Sequence, residues 1–469
     1  MNRVEILKGL YRGVFGEMPE ACERLAGAGG DRVYWRMHAV NRPSAIGVEG
    51  DNAADCRAFV ALSRCFRSAG VNVPEILAVS GSGMEYLQQD LGGVSLFSLL
   101  GDEENRLIYV PQALRELARM QAVPQAEWER VAEYPPFSRR QAMYDLNYFK
   151  YEFLKPMGIP FDEERLEDDF EHFAADLADD ANVPQGFMYR DFQSRNVMIK
   201  EARPWLIDFQ GGRRGPVVYD AVSFLWQAKA GFSDGFRAQM LEEYAGALRS
   251  NSFPGAEKVL AGVKPFAFFR TLQVLGAYGF RGLVERRAHF IESIPGALRN
   301  LEDLLITGAA DRYPELKRVC GLLAADRRFD TPSAGPLTVT VFSFSYKRGY
   351  PADYTGNGGG FMFDCRAMHN PGRYEQYKSL TGRDLPVIEF LKKKGEIDPF
   401  CERALGMVRP AVERYLKRGF TNLQIGFGCT GGQHRSVYSA DYVARALAKE
   451  YPQAKVIVIH REQKIQEEF

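Results

Sequence analysis

The feature that most constrains the fold of this 469-residue chain is an Asp-x4-Asn pair followed at short range by a second Asp. The segment YRDFQSRN contains Asp191 and Asn196, the strand-like VMI follows it, and Asp208 stands twelve residues after Asn196 in LIDFQGG. Phosphoryl transfer needs a base for the attacking hydroxyl and oxygen ligands that hold magnesium on the phosphates. The pattern predicts such a site. The simpler alternative is a set of loop side chains that cap adjacent strands.

The wider segments YRDFQSRNVMI and LIDFQGGRRGPVVYD resemble the aminoglycoside phosphotransferase/choline kinase family. Within it they are most similar to the bacterial anomeric kinases of N-acetylmuramate and N-acetylglucosamine, as are DCRAF (55–59) and NVPEIL (72–77). The resemblance covers residues 1–325. It implies an α+β two-lobed protein-kinase-like domain that uses ATP and Mg²⁺ to phosphorylate the anomeric hydroxyl of one of these sugars.

The same resemblance implies the roles of individual residues. Asp191 is the catalytic base, and Asn196 and Asp208 bind Mg²⁺. The acceptor sugar is expected in the helical lobe, near Tyr144, Asn147 and Tyr148. The implied ATP-binding residues lie in a glycine cluster and in the hinge between the lobes: Gly27, Gly29, Gly30, Gln89, Asp90 and Leu91.

Two departures from the family pattern concern the phosphates of ATP. The loop GAGGDR is not a full G-x-G-x-x-G, and the Lys expected on the third strand is missing because SAIGVEG places Gly47 or Val48 there. The nearest cation upstream is Arg42. The sugar-kinase branch is similar in lacking this Lys. The alternative is a pseudokinase adapter whose only ligand site lies further along the chain.

A second motif, GCTGGQHRS (428–436), lies between a predicted strand and a predicted helix. Successive backbone N–H groups in a Gly-rich loop before a helix form an anion-binding nest, and Arg435 adds a donor for phosphate oxygens. The motif predicts a phosphate site. The alternative is a tight Gly turn with a capping Ser. Cys429 and Arg435 also have the C-x5-R-S spacing of Cys-dependent phosphatases, although Gly428 replaces the usual His.

The fuller segment IGFGCTGGQHRSVYSA resembles the C-terminal domain of the RapZ RNase-adapter family, as do FDCRAMHNP (363–371), SLTGRDLPV (379–387) and SFSYKRGYP (343–351). The resemblance covers residues 337–469 and implies a smaller α/β domain that senses glucosamine 6-phosphate. Gly372 replaces the family's usual aromatic residue or His. The implied sugar-phosphate ligands are Asp364, Arg366, Asn370, Thr430, Gly431, Gly432, His434 and Arg435.

Composition supports this two-domain organisation, with DRRFDTPSAGP (326–336) as a predicted linker. The 60 basic residues balance the 60 acidic ones, which argues against a nucleic-acid or membrane partner, although residues 337–469 carry a net charge of +6. Seven scattered cysteines and no secretory signal or spanning segment predict a cytoplasmic protein. The two family resemblances imply small amino sugars and sugar phosphates as partners. RNA binding and homo-oligomerisation through the last domain stay open.

Overall fold

The computed structural model describes residues 3–25, 32–178, 183–326, 328–329, 335–355 and 360–469. The chain divides into two compact units, the first formed by residues 1–277 with 296–325 and the second by 278–295 with 326–469. Within the described ranges no helix has the length and apolar character needed to cross a membrane.

The first unit begins with a five-stranded antiparallel sheet in the order β1-β2-β3-β5-β4. Helix α2 is capped at its start by Asn52, whose side chain accepts hydrogen bonds from the backbone N–H groups of Ala54 and Asp55. Its apolar face buries Phe59 and Phe66. The elements of this lobe are α1 (Arg3–Phe15), β1 (Ala21–Arg24), β2 (Val33–His38), β3 (Ala45–Glu49), α2 (Ala53–Ser68), β4 (Ile76–Val79) and β5 (Glu85–Gln89).

A helical lobe follows, and two short antiparallel hairpins, β6–β9 and β7–β8, carry the loops of interest. Up to these hairpins the lobe contains α3 (Leu96–Leu99), α4 (Glu103–Gln121), α5 (Gln125–Trp128), α6 (Arg139–Phe149), α7 (Lys155–Met157) and α8 (Glu163–Ala178). The strands are β6 (Gln185–Met188), β7 (Val197–Lys200), β8 (Arg203–Leu206) and β9 (Arg213–Pro216). The later helices are α9 (Val218–Leu225), α10 (Asp234–Ser250), α11 (Val263–Tyr278), α12 (Ala288–Ile291), α13 (Ile294–Ile306) and α14 (Pro314–Ala324), of which α12 belongs to the second unit.

One strand is shorter than the sequence predicts. The apolar run PWLIDF indicates a strand through residue 209, but β8 ends at Leu206. Asp208 adopts a left-handed conformation with φ of 68°, which a β-strand does not accommodate. Asp is one of the few non-glycine residue types that adopt this conformation with some frequency.

The second unit contains a sheet in the order β11-β12-β10-β13-β14, in which only β14 is antiparallel to its neighbour. Its helix α17 buries Val437, Val443 and Leu447 in the domain core. The two units confirm the predicted fold class, a two-lobed kinase-like domain followed by a smaller α/β domain. The elements are β10 (Thr338–Ser345), β11 (Gly360–Asp364), α15 (Leu385–Lys393), α16 (Ile397–Arg418), β12 (Asn422–Cys429), α17 (Arg435–Glu450), β13 (Lys455–His460) and β14 (Ile465–Glu468).

Candidate functional site

A cavity of about 270 Å³ lies within the first unit, lined by residues of the antiparallel sheet and by residues in and next to the β7–β8 hairpin. Its wall combines apolar and aromatic side chains with charged and amide ones. The apolar side chains would suit a flat base, and the arginines would suit an anion. The lining residues are Leu25, Arg32, Tyr34, Arg36, Ile46, Phe59, Tyr86, Gln88, Gln89, Asp90, Leu91, Gly92, Arg195, Asn196, Met198, Ile207 and Asp208.

The loop that carries Asp191 is held by a fully buried carboxylate, Asp220 of α9. Asp220 accepts hydrogen bonds from the backbone N–H groups of Tyr189 (2.7 Å) and Arg190 (2.9 Å) and from Gln121 Nε2 (3.0 Å). Burial raises the pKa of Asp220 to about 7, although these donors act in the opposite direction. The carboxylate thus has a structural role, and it leaves Asp191 exposed at the tip of the loop.

We expect Asp220→Asn to lower the free energy of unfolding by about 1–3 kcal/mol, because one carboxylate oxygen becomes an NH₂ group that faces a donor. Urea unfolding measures the change. The control is Asp168→Asn on the exposed surface of α8, which should change stability by less than about 0.5 kcal/mol. Equal effects of the two substitutions would contradict the structural role of Asp220.

Asn196 and Asp208 are brought together by backbone pairing. Ile207 N–H donates to the Asn196 carbonyl (3.0 Å), and Asn196 Nδ2 donates to the Asp191 carbonyl (2.9 Å). The Asn196 side chain is therefore oriented by the same loop that carries Asp191. Asp208 accepts a hydrogen bond from Gln210 Nε2 (2.8 Å).

The Asp208 side chain is partly exposed and lies close to a second carboxylate, Asp191. Desolvation by the surrounding protein and the nearby Asp191 raise the pKa of Asp208, against the effect of Gln210 and Arg32. The described residues contain no cluster of three or more His, Cys, Asp or Glu side chains that could hold a metal ion. A Mg²⁺ ion commonly uses one or two carboxylates and completes its shell with water and phosphate oxygens, and the pair Asn196 and Asp208 fits that pattern.

Helix α2 supports Asp208 from the sheet side. The ring of Phe59 stacks on Phe209, the residue after Asp208, with centroids 4.9 Å apart. Phe66 of the same helix contacts Phe209 edge-on. These aromatic contacts fix the position of Asp208 relative to the cavity.

The predicted hinge residues Gln89, Asp90 and Leu91 all line the cavity. The Asp90 carboxylate accepts two hydrogen bonds from Arg36, at 2.8 and 3.1 Å, and its carbonyl accepts one from Lys200 Nζ at 2.8 Å. The hinge is therefore fixed by two cations. The predicted glycine-loop residues Gly27, Gly29 and Gly30 lie outside the described residues.

Sequence reasoning missed one cation in this cavity. Arg42, the nearest cation upstream of the third strand, pairs with Glu17 at the surface (2.8 Å). Arg32, at the start of β2, instead lines the cavity with only 8% of its side chain exposed. Its position directly after the glycine cluster in GAGGDR is the signal that could have identified it.

In the second unit, the predicted ligand residues lie at the carboxyl ends of three adjacent parallel strands. The register pairs Asp364 at the end of β11 with Gly428 of β12, and Cys429 with Ser345 at the end of β10. Ligands of open α/β sheets commonly bind at this edge. The fold therefore brings together the segments 364–370 and 430–435.

The loop after β12 is shaped by a glycine and by β10. Gly432 has φ of 65°, and a Cβ there would lie 2.4 Å from Glu462 Cγ and 2.8 Å from the Ser345 nitrogen. Ser345 Oγ donates to the Thr430 carbonyl (2.8 Å). Thr430 and Gly431 are left exposed at the loop surface. Ser345 and Glu462 are supporting residues that the motif alone did not indicate.

Cys429 lies beneath this loop with 3% exposure. Burial alone would raise the pKa of its thiol. The Ser436 hydroxyl (3.1 Å) and the N–H groups of Ser436 and Gln433 outweigh that effect, and Arg435 adds to them, so the pKa lies below its usual value. These groups hold the sulfur at the base of the loop.

Arg435 and His434 are both buried. Arg435 Nη1 donates to the carbonyls of Arg366 (2.9 Å) and Met368 (2.7 Å), so part of its guanidinium group ties the segment after β11 to α17. Arg435 Nε is buried and has no hydrogen-bond partner. His434 Nε2 lies 2.8 Å from the Tyr377 carbonyl, which orients the ring.

The remaining predicted ligands surround the same edge of the sheet. The Asp364 and Arg366 side chains pair with each other at 2.7 Å, and the Arg366 guanidinium lies 3.9 Å from the centre of the Tyr346 ring. Asn370 Oδ1 accepts a hydrogen bond from Gly372 N–H (3.1 Å). A Cβ at Gly372 would lie 3.4 Å from His434 Cε1, so this glycine leaves space beside the His434 ring.

Comparison with known families agrees with this division. Residues 22–254 match the phosphotransferase enzyme family, and residues 337–464 match the RapZ C-terminal domain. The chain therefore carries a phosphotransferase-family domain. That domain is followed by a RapZ C-terminal domain.

The curated relatives match over a limited region. A nucleotide-binding protein of Cereibacter sphaeroides is 42% identical over 123 residues, which cover 26% of this chain and 39% of the relative. A nucleotide-binding protein of Ruegeria pomeroyi is 36% identical over 166 residues, which cover 35% of this chain and 54% of the relative. The chain thus spans about two fifths to one half of the length of these proteins.

Solved structures with a similar backbone include the amicoumacin kinase hAmiN, in complex with AMP-PNP and Ca²⁺, and the choline kinase of Cryptosporidium parvum. The first is 14% identical with a TM-score of 0.46, and the match covers 60% of this chain and 86% of that protein. The second is 13% identical with a TM-score of 0.45, and the match covers 68% and 99%. The assignment of the two domains rests on the family matches.

Proposed function

We propose that the first unit is an ATP- and Mg²⁺-dependent kinase that phosphorylates the anomeric hydroxyl of N-acetylmuramate or N-acetylglucosamine. The observation that carries this proposal is the position of Asn196 and Asp208 in the lining of the cavity, with the Asn196 side chain bonded to the backbone of Asp191. Residues 1–325 and 337–469 are proposed to act as two modules joined by residues 326–336.

In the proposed reaction, Asp191 orients the acceptor hydroxyl and takes its proton while the γ-phosphoryl group passes from ATP to the hydroxyl oxygen and ADP leaves. Asp191 suits this role because it is exposed on a loop whose backbone is fixed by a buried carboxylate. Asn196 and Asp208 would hold Mg²⁺, which supplies positive charge beside the phosphates. Arg190, paired with the buried Asp145 of α6 at 2.8 Å, supports the loop from the helical lobe.

The test is phosphorus NMR of ATP with a panel of sugars, since it reports both transfer and the position phosphorylated. We expect an anomeric phosphate from N-acetylmuramate or N-acetylglucosamine. The matched control is the methyl glycoside of the same sugar, whose anomeric oxygen is blocked and which should yield no product. Phosphorylation of the glycoside would contradict the anomeric assignment. ATP that stays intact with every sugar would favour the pseudokinase alternative.

We further propose that the second unit binds an amino-sugar phosphate such as glucosamine 6-phosphate at the carboxyl edge of its sheet. The exposed loop at Thr430 and Gly431, the unpartnered Arg435 Nε and the nearby Asn370 support this proposal. Calorimetry on the full chain should detect binding of glucosamine 6-phosphate and little binding of glucosamine, because the proposed contacts of the loop are with the phosphate group. Equal affinity for the two would contradict a phosphate site.

We expect Cys429→Ser to leave the affinity for glucosamine 6-phosphate within about threefold of wild type, since a serine oxygen can accept the same hydrogen bonds beneath the loop and threefold is only about 0.65 kcal/mol. Calorimetry on both forms is the measurement. We also expect no phosphate-ester hydrolysis by the wild type. A hydrolytic activity that this substitution eliminates would instead establish the phosphatase alternative, in which a thiolate attacks phosphorus.

A further inference from the structure

The side chain of Arg32 is nearly buried and is not fully satisfied by its neighbours. Its Nη2 lies 3.7 Å from Asp55 Oδ2, and its Nη1 lies 3.8 Å from Asp208 Oδ1. Charge-assisted hydrogen bonds are normally 2.7–2.9 Å long, so both contacts are ion pairs without a direct hydrogen bond. Nη2 has no hydrogen-bond partner. A buried guanidinium with an unused donor is costly unless a ligand completes it.

The surroundings of Arg32 fix its direction. Asp55, in the first turn of α2, also accepts a hydrogen bond from the Tyr134 hydroxyl, so this carboxylate is anchored on two sides. Asp208 is one of the two proposed Mg²⁺ ligands. Arg32, directly before β2, therefore extends into the cavity towards Asp208, where the phosphates would have to lie if Asp208 is to reach them through a metal.

The third strand, β3, does not supply the lysine that the family pattern places beside the phosphates. In the register of the sheet, Val48 of β3 pairs with Tyr34 and Gly47 pairs with Trp35, so neither of the two positions in question offers a charge. Of the other cations that line the cavity, Arg36 is committed to Asp90 and the Arg195 guanidinium lies over the Phe97 ring at 4.7 Å. Among the described lining residues, Arg32 alone has a buried donor without a partner.

We propose that Arg32 replaces the missing third-strand lysine and pairs with the phosphate chain of the nucleotide, held in place by Asp55. This inference rests on the proposed kinase function. It assigns the phosphate contact to a residue directly before β2 instead of to a residue on β3. Its guanidinium group offers two parallel donors, which suits phosphate oxygens better than a point charge does.

The test compares the binding of AMP-PNP and adenosine to the full chain by calorimetry, with Mg²⁺ present. We expect Arg32→Gln to weaken AMP-PNP binding about 10–100-fold, since a hydrogen bond to a charged group contributes roughly 1.5–3 kcal/mol. Adenosine, which has no phosphate, should bind with unchanged affinity. The matched control is Arg42→Gln, which removes a surface arginine and should change neither affinity.

Thermal melting without nucleotide checks that each variant is folded. If Arg32→Gln does not fold, Arg32→Lys decides, and we expect AMP-PNP affinity to fall about 3–10-fold because the forked donor is lost. Unchanged AMP-PNP affinity in the deciding variant, or an equal loss for adenosine, would overturn the role of Arg32 and leave the proposed kinase intact. A wild-type chain that binds no AMP-PNP would overturn both.

Discussion

Asp191→Asn is expected to lower turnover by roughly 10²–10⁴-fold, the contribution typical of a positioned general base. The amide can still accept a hydrogen bond from the acceptor hydroxyl but cannot take its proton. Because Asp191 is exposed at the tip of its loop and does not line the cavity, AMP-PNP affinity should be nearly unchanged. Steady-state kinetics and calorimetry on the same preparation make the comparison.

The nucleotide affinity is the internal control for this variant. Turnover within about threefold of wild type would contradict the assignment of Asp191 as the base, since the loss expected from general-base removal is far larger. A parallel loss of AMP-PNP affinity would show instead that the substitution disturbs the loop that also carries Asn196.

Asp208→Ala is expected to abolish Mg²⁺-dependent transfer, with a loss on the order of 10³-fold or more, because the substitution removes a proposed metal ligand together with its charge. The measurement is turnover over a range of Mg²⁺ and sugar concentrations. Glu201→Gln, at an exposed turn between β7 and β8, is the control and should retain wild-type turnover. Activity of Asp208→Ala that is restored by more sugar alone would contradict the role of Asp208 at the metal.

The parts of the proposed kinase site that the sequence indicates are those formed by neighbours along the chain. Asp191, Asn196 and Asp208 lie within one hairpin and its flanking loops, so their spacing alone places them together. Arg32 is different, because its partners Asp55 and Asp208 come from a helix and from a distant hairpin. Only the three-dimensional arrangement places Arg32, directly before β2, in the cavity near Asp208.

The sequence also indicates which residues surround the loop of the second unit, but not how each is used. Arg435 is predicted as a phosphate ligand, and its Nη1 is in fact shared by the carbonyls of Arg366 and Met368. Backbone acceptors carry no signature in the sequence. For this reason Arg435→Ala would displace the segment after β11 as well as remove a charge, and the change in affinity would not isolate one contact.

The strand order of the second unit has a consequence for the way it folds. The central strand β10 pairs with β12 and β13, and contacts such as Ser345 with Thr430 and Ser343 with His460 join residues 85 and 117 positions apart. Parallel pairings of this kind close long loops before they gain stability, so they form slowly. We expect refolding of this unit to be limited by the docking of β12 and β13 on β10. The loop of residues 430–434, which follows β12, can then form only after that step.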